Sequence, residues 1–130
     1  MTRFYLDTSV AAHAVDGELG AVEWFDTASA TAEIVSSRLM KTELTRFLRR
    51  DDRPIHLRDL VLDKTDLAVL DEAVLASAES ITEHAKTLDA IHLATAVAFG
   101  SDTVMVSHDA NLLRLAEELG LRTLDPVTSA

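Results

Sequence analysis

At 130 residues the chain has room for one compact domain with a real core but not for two, and 48% hydrophobic residues with mixed charges exclude a disordered chain. The absence of cysteine excludes disulfides, thiolate catalysis and cysteine-based zinc sites, and suits a reducing cytoplasm. The net charge of −10 argues against nonspecific adhesion to nucleic acid, yet residues 38–64 hold eight basic against five acidic residues, a balance of +3 that leaves −13 on the remainder.

The N-terminus reaches Asp7 too soon for a secretory signal, and no uncharged apolar run approaches the ~20 residues of a membrane span. The expectation is a soluble, cytoplasmic protein with no membrane association. Phe4-Tyr5-Leu6 reads as a short buried strand, ending at Asp7-Thr8-Ser9, whose side-chain oxygens suit a helix cap. An alanine-rich helix then runs from Ser9 to Val15, with Gly17 or Gly20 to break it. A second helix is predicted over Leu19–Ala28, with Val22, Phe25 and Trp24 facing inward, and Glu33–Ser36 reads as the second strand. Arg38–Arg50 is a strong amphipathic helix whose stripe is Leu39, Met40, Leu44, Phe47 and Leu48, closed off before Pro54.

In the middle of the chain, Leu60-Val61-Leu62 reads as a short strand, and Thr65 or Asp66 as the cap of a helix reaching about Ala78. Thr87 to Val97 is helical by spacing and alanine content and stops at Gly100. Thr103–Ser107 is the clearest strand. Asp109 or Ser107 then caps a helix that turns Leu112, Leu115, Ala116 and Leu119 to the core and ends at Gly120, and Leu121–Leu124 is the last strand. There is no internal repeat or linker. Strands alternating with helices at this spacing predict an α/β fold, a parallel sheet with helices on both faces.

Acids interrupt this apolar framework at informative places. Asp7 directly follows one buried strand and Asp109 lies two residues past another, so both belong at the carboxyl-end rim where ligands of open α/β sheets sit. Glu43 on the striped helix and Asp89 at the head of an apolar helix can project toward the same rim. Taken singly, Asp7, Asp89 and Asp109 are explicable as helix caps, and Glu43 as a surface residue paired with Lys41, Arg46 or Arg50. Four acids at one rim are another matter, because clustered carboxylates repel unless protonated or neutralised by a cation. Hard oxygen ligands without cysteine or paired histidine favour Mg²⁺ or Mn²⁺ over zinc. Such a site suits metal-assisted phosphodiester hydrolysis, and the basic band, Arg46, Arg49 and Arg50 included, suits a phosphate chain.

Four segments carry a resemblance: Tyr5-Leu6-Asp7-Thr8-Ser9, Lys41-Thr42-Glu43-Leu44, Leu88-Asp89-Ala90-Ile91-His92-Leu93-Ala94-Thr95-Ala96, and Val106-Ser107-His108-Asp109-Ala110-Asn111-Leu112. In this order and spacing they resemble the PIN-domain ribonucleases, most of all the VapC-type toxins of bacterial toxin–antitoxin pairs, across essentially the whole chain. The resemblance implies one PIN domain over residues 1–130, a three-layer fold with a central parallel sheet of four or five strands. It implies that Asp7, Glu43, Asp89 and Asp109 surround Mg²⁺ or Mn²⁺, with Ser9 and Ser107 as supporting hydroxyls. Family members more often carry threonine where Ser107 stands. It further implies an RNA substrate, a cognate antitoxin and a homodimer. His92 is expected to have a structural or hydrogen-bonding role, His108 to stand exposed at the rim, and Trp24 to serve core or interface. His13, His56 and His84 show no ligand spacing.

Two rival readings remain at this point. One is a catalytically silent module of the same fold that binds RNA or an antitoxin. The other is a different phosphoryl-transfer domain. A haloacid-dehalogenase-like phosphatase needs a second aspartate where Ser9 stands, and a receiver needs an acidic pair and a mid-sheet phosphoacceptor that the sequence lacks.

Overall fold

The computed structural model describes residues 2–128, and its layering follows from the first strand, β1 (Arg3–Leu6). Successive side chains of a strand point to opposite faces, and here both faces are covered. Leu6 and, less deeply, Phe4 join one apolar cluster, while Tyr5 joins the other. A strand apolar on both faces belongs at the centre of a parallel sheet. β1 lies there, in the order β3-β2-β1-β4-β5, with every neighbouring pair parallel. Its companions are β2 (Glu33–Ser37), β3 (Asp66–Ala68), β4 (Thr103–Val106) and β5 (Arg122–Leu124). The expected parallel sheet with helices on both faces is present, with five strands among the described residues.

Helices α1 (Thr8–Val15), α2 (Leu19–Thr31), α3 (Arg38–Arg50) and the one-turn α4 (Asp59–Leu62) supply the first face. Val10, Phe25, Met40, Leu44, Leu48 and Val61 pack there with Leu6, Ile34 and Val106. Helices α6 (Thr87–Phe99) and α7 (Ala110–Glu118) supply the second, where Leu93, Leu112 and Leu115 meet Tyr5, Val35 and Met105. Helix α5 (Glu72–Glu79) leans on α6 through Val74, Ala78, Ile91 and Ala94. No helix among the described residues is long and apolar enough to cross a membrane.

Most expected elements appear, with shifted ends. Helix α2 runs on to Thr31, and Trp24 is half-buried, its ring edge-on to Phe4 at 5.5 Å. Gly100 closes α6 with φ +122°, a conformation L side chains rarely adopt. Three expectations are corrected. Leu60–Leu62 is not a strand: a 3-10 turn (Ile55–Arg58) leads into α4, which buries only Val61 and leaves Leu60 60% exposed. No helix starts at Thr65 or Asp66, because Asp66–Ala68 pairs with Val35–Ser37 as an edge strand. The helix begins only at Glu72, where the Asp71 side chain accepts from the Val74 N–H. Leu119 lies at the C-cap of α7 and is 37% exposed, beyond the buried stripe of Leu112, Leu115 and Ala116.

Candidate active site

Strand order reverses at β1: the chain steps from β1 to β2 and β3 on one side, then returns to β4 and β5 on the other. In open α/β sheets this reversal opens a crevice outside the carboxyl ends of the strands. Asp7 follows β1 directly, and its backbone N–H is held by the Val106 carbonyl of β4 at 2.9 Å. Ser107 and Asp109 follow β4. The sheet therefore brings the first and fourth predicted acids to one place.

Asp7 is the buried acid of the set, 6% exposed. It caps α1, and its Oδ2 accepts from Ser9 Oγ at 2.6 Å, Ser107 Oγ at 2.9 Å and the Ser9 N–H at 3.4 Å. Both predicted supporting hydroxyls are thus on one oxygen of Asp7. Ser107 Oγ also accepts from the Asp109 N–H at 3.0 Å, and Ser9 Oγ from the His108 N–H at 3.0 Å. Asp109 caps α7 through Oδ1, which accepts from the Asn111 and Leu112 N–H groups. Capping therefore explains one oxygen of Asp7 and one of Asp109. Neither Asp7 Oδ1 nor Asp109 Oδ2 takes a hydrogen bond among the described residues.

Glu43 is turned inward from α3. Its Oε1 accepts from Thr8 Oγ1 at 2.7 Å and from His92 Nε2 at 2.6 Å, and Oε2 takes no hydrogen bond among the described residues. The surface pairing with Lys41, Arg46 or Arg50 does not form. His92 Nε2 also lies 3.8 Å from Asp7 Oδ1, so one imidazole stands between the two acids. Burial works to raise the Glu43 pKa, but the His92 hydrogen bond and charge and the Thr8 hydroxyl outweigh it, and the carboxyl lies below its ordinary range. Burial likewise works against a charged His92, yet the Glu43 hydrogen bond and the Asp7, Glu43 and Asp89 carboxylates raise its pKa.

Asp89 is not a cap. Lys86 holds that place in α6, and Asp89 is the third helical residue, half-buried, with no hydrogen bond among the described residues. Its pKa is raised by burial first, then by the Asp109 and Asp7 carboxylates. The acids are therefore close enough to repel. Yet among the described residues no three histidine, aspartate or glutamate side chains are gathered as a preformed metal cage. The donor set itself fits a hard divalent cation: oxygen ligands, a mutually destabilised acidic group and three carboxylates each with one oxygen uncommitted.

Arg46, Arg49 and Arg50 stand exposed on α3. Helical spacing puts Arg46 and Arg50, three and seven residues past Glu43, on the face that Glu43 uses, about 4.5 and 10.5 Å along the axis. Arg49 lies roughly 120° around the helix from Glu43. His108 is exposed at the rim, its Nδ1 2.9 Å from Asp125 Oδ2 and its ring edge-on to His13. Two site contacts were not foreseen from sequence, Thr8 and Tyr5. The phenol of Tyr5 lies 2.6 Å from His92 Nδ1. The available signals were a hydroxyl next to Asp7 and a tyrosine inside an otherwise apolar strand.

The fold is thus a doubly wound parallel α/β sheet with acids at its switch point, the place where ligands of such sheets generally sit. The chain belongs to the PIN domain family, whose sequence model matches residues 4–118. That family consists typically of metal-dependent nucleases. Solved structures with similar chains include VapBC2 from Rickettsia felis bound to a DNA fragment from their promoter (TM-score 0.76, 11% identity, 95% of this chain and 98% of that one). A toxin–antitoxin complex from Klebsiella pneumoniae (TM-score 0.74, 15% identity, 97% and 98%) and DNA-bound VapBC from Salmonella typhimurium (0.70, 20%, 96% and 98%) are similar in the same way. At these identities the likeness is one of fold. No curated protein matches the sequence significantly.

Proposed function

We propose that the protein is a metal-dependent endoribonuclease, the toxin of a toxin–antitoxin pair, that hydrolyses RNA phosphodiester bonds at Asp7, Glu43, Asp89 and Asp109. One observation carries this reading. In Asp7, Glu43 and Asp109 a single oxygen collects every donor among the described residues, and the other takes no hydrogen bond from them. Carboxylates that only cap helices or only make ion pairs have no need of a shared rim. Anchoring by one oxygen fixes the direction of the other, which is what a ligand to Mg²⁺ or Mn²⁺ requires.

In this account Asp7 and Asp89 hold the principal ion, and Glu43 and Asp109 complete its shell or admit a second. A divalent cation supplies Lewis acidity toward the phosphate, lowers the pKa of water and stabilises the leaving oxygen. The carboxylates orient the attacking water or accept its proton. Ser9 and Ser107 keep Asp7 from rotating. Arg46 and Arg50, on the face of Glu43, hold the RNA backbone, with Arg49 beside them. The solved complexes with similar chains support an antitoxin partner, the family resemblance supports a homodimer of one PIN domain per chain, and the lack of cysteine suits a reducing cytoplasm.

The test is purified protein incubated with structured RNAs, with Mn²⁺ or Mg²⁺ or with chelator. Cutting that needs the cation and is lost in Asp7→Asn is the expected result. Metal-dependent cutting that survives in Asp7→Asn would overturn the site, and RNA binding with no cutting would identify a silent module.

A further inference from the structure

Tyr5, His92 and Glu43 form a line of short hydrogen bonds that starts in the core and ends at the rim. The Tyr5 hydroxyl is 2.6 Å from His92 Nδ1, and His92 Nε2 is 2.6 Å from Glu43 Oε1. Tyr5 is fully buried and His92 nearly so. Burial and, to a lesser degree, the nearby Asp7 charge push the Tyr5 phenol far above its ordinary range, so it keeps its hydrogen. The hydroxyls of Ser36 and Thr95, which also neighbour the phenol, already donate to the Leu6 and Ile91 carbonyls. Each has one hydrogen to give, so toward Tyr5 they offer lone pairs.

This arrangement fixes the direction of the His92–Glu43 hydrogen bond without fixing the charge on His92. An ionised Glu43 only accepts, so Nε2 carries a hydrogen whether the ring is neutral or charged. If Nδ1 is bare, the phenol donates to it. If Nδ1 bears a hydrogen, the phenol accepts and donates onward to Ser36 or Thr95. Tyr5 is thus a partner for the ring in either state, and the ring's far edge always donates to Glu43 Oε1. Glu43 needs such a clamp because it arrives from the second turn of α3, on a flexible side chain, unlike Asp7 and Asp109, which backbone N–H groups hold.

We propose that Tyr5 and His92 are positioning residues that clamp Glu43 by Oε1 and leave Oε2 directed into the crevice, so setting the affinity of the site for a divalent cation. This rests on the metal-site reading above. Groups that orient metal ligands typically change metal affinity 10–100-fold when removed, so Tyr5→Phe is expected to weaken binding about tenfold and His92→Leu about a hundredfold. His92→Gln, whose amide nitrogen can occupy the place of Nε2, is expected to restore most of the affinity lost in His92→Leu. A merely structural role predicts no such rescue.

The experiment is calorimetric titration of the intact protein with Mn²⁺ for wild type, Tyr5→Phe, His92→Leu, His92→Gln and Asp7→Asn, each first shown to be folded by circular dichroism. Tyr5→Phe removes one oxygen and keeps the ring, so it carries the test even if His92→Leu does not fold. Graded loss in Tyr5→Phe, with rescue by Gln over Leu where both fold, supports the clamp. Wild-type affinity in Tyr5→Phe, alongside abolished binding in Asp7→Asn, overturns the clamp and leaves the metal site standing. No Mn²⁺ binding by wild type, or unchanged binding in Asp7→Asn, overturns both.

Discussion

Ser107 shows how a residue with no charge shapes this site. Its hydroxyl donates to Asp7 Oδ2 and accepts from the Asp109 N–H, so one buried oxygen ties the ends of β1 and β4 together. Removing it strips a charge-assisted hydrogen bond from Asp7 and leaves the Asp109 N–H short of its partner. Ser107→Ala is therefore expected to cost about 1–3 kcal/mol of stability, read as a lower urea midpoint. Ser107→Thr keeps the hydroxyl and is expected to lose less, the added methyl being the only new demand on packing. Equal losses in the two variants would show that volume, not the hydroxyl, decides.

At the scale of elements, the close approach of the C-terminal segment to α2 makes the clearest prediction. A Cβ at Gly20 would overlap the Pro126 carbonyl oxygen and crowd the Thr128 side chain. Backbone cannot step aside as a flexible side chain can, so Gly20→Ala is expected to destabilise by about 1–3 kcal/mol despite alanine's better helix propensity. Urea denaturation of the variant checks this, and a stabilised protein would contradict it. Where elements were legible in the sequence, burial on a regular period made them so: Leu6 in β1, Met40, Leu44 and Leu48 in α3, and the four-residue buried run of β4. Residues 60–71 depart from the sequence expectation because contact decides them. Asp66–Ala68 is a strand only because β2 offers it an edge, and Leu60–Leu62 turns as a helix that buries one side chain. The same split holds at the site. Asp7 and Asp109 were readable as acids just past apolar strands. The partners of Glu43 were not, since Thr8 is 35 residues away in sequence and His92 is 49.

For the molecule as a whole, charge is the organising quantity. An RNA substrate of the proposed kind must meet a chain of net charge −10 through a restricted surface, and the basic band around α3 is the one the sequence supplies. Arg46, Arg49 and Arg50 make no ion pair among the described residues, so their charge is available to a phosphate backbone. Replacing all three with alanine is expected to weaken RNA binding and to flatten its dependence on log salt by about two, near 0.7 for each phosphate contact with a single strand. Fluorescence anisotropy across a salt series measures this, and Mn²⁺ affinity is expected to stay as in wild type. An unchanged salt slope would move the RNA path off α3.

Diffraction from crystals grown with Mn²⁺ and measured for anomalous signal decides whether the carboxylate oxygens left free beyond β1 hold a divalent cation. An anomalous peak is expected at Asp7 and Asp89, about 2.1 Å from the Asp7 oxygen that Ser9 and Ser107 leave free, with Glu43 Oε2 or Asp109 Oδ2 turned toward it. A protein saturated with Mn²⁺ but showing no peak there, or a peak bound by other residues, would contradict it.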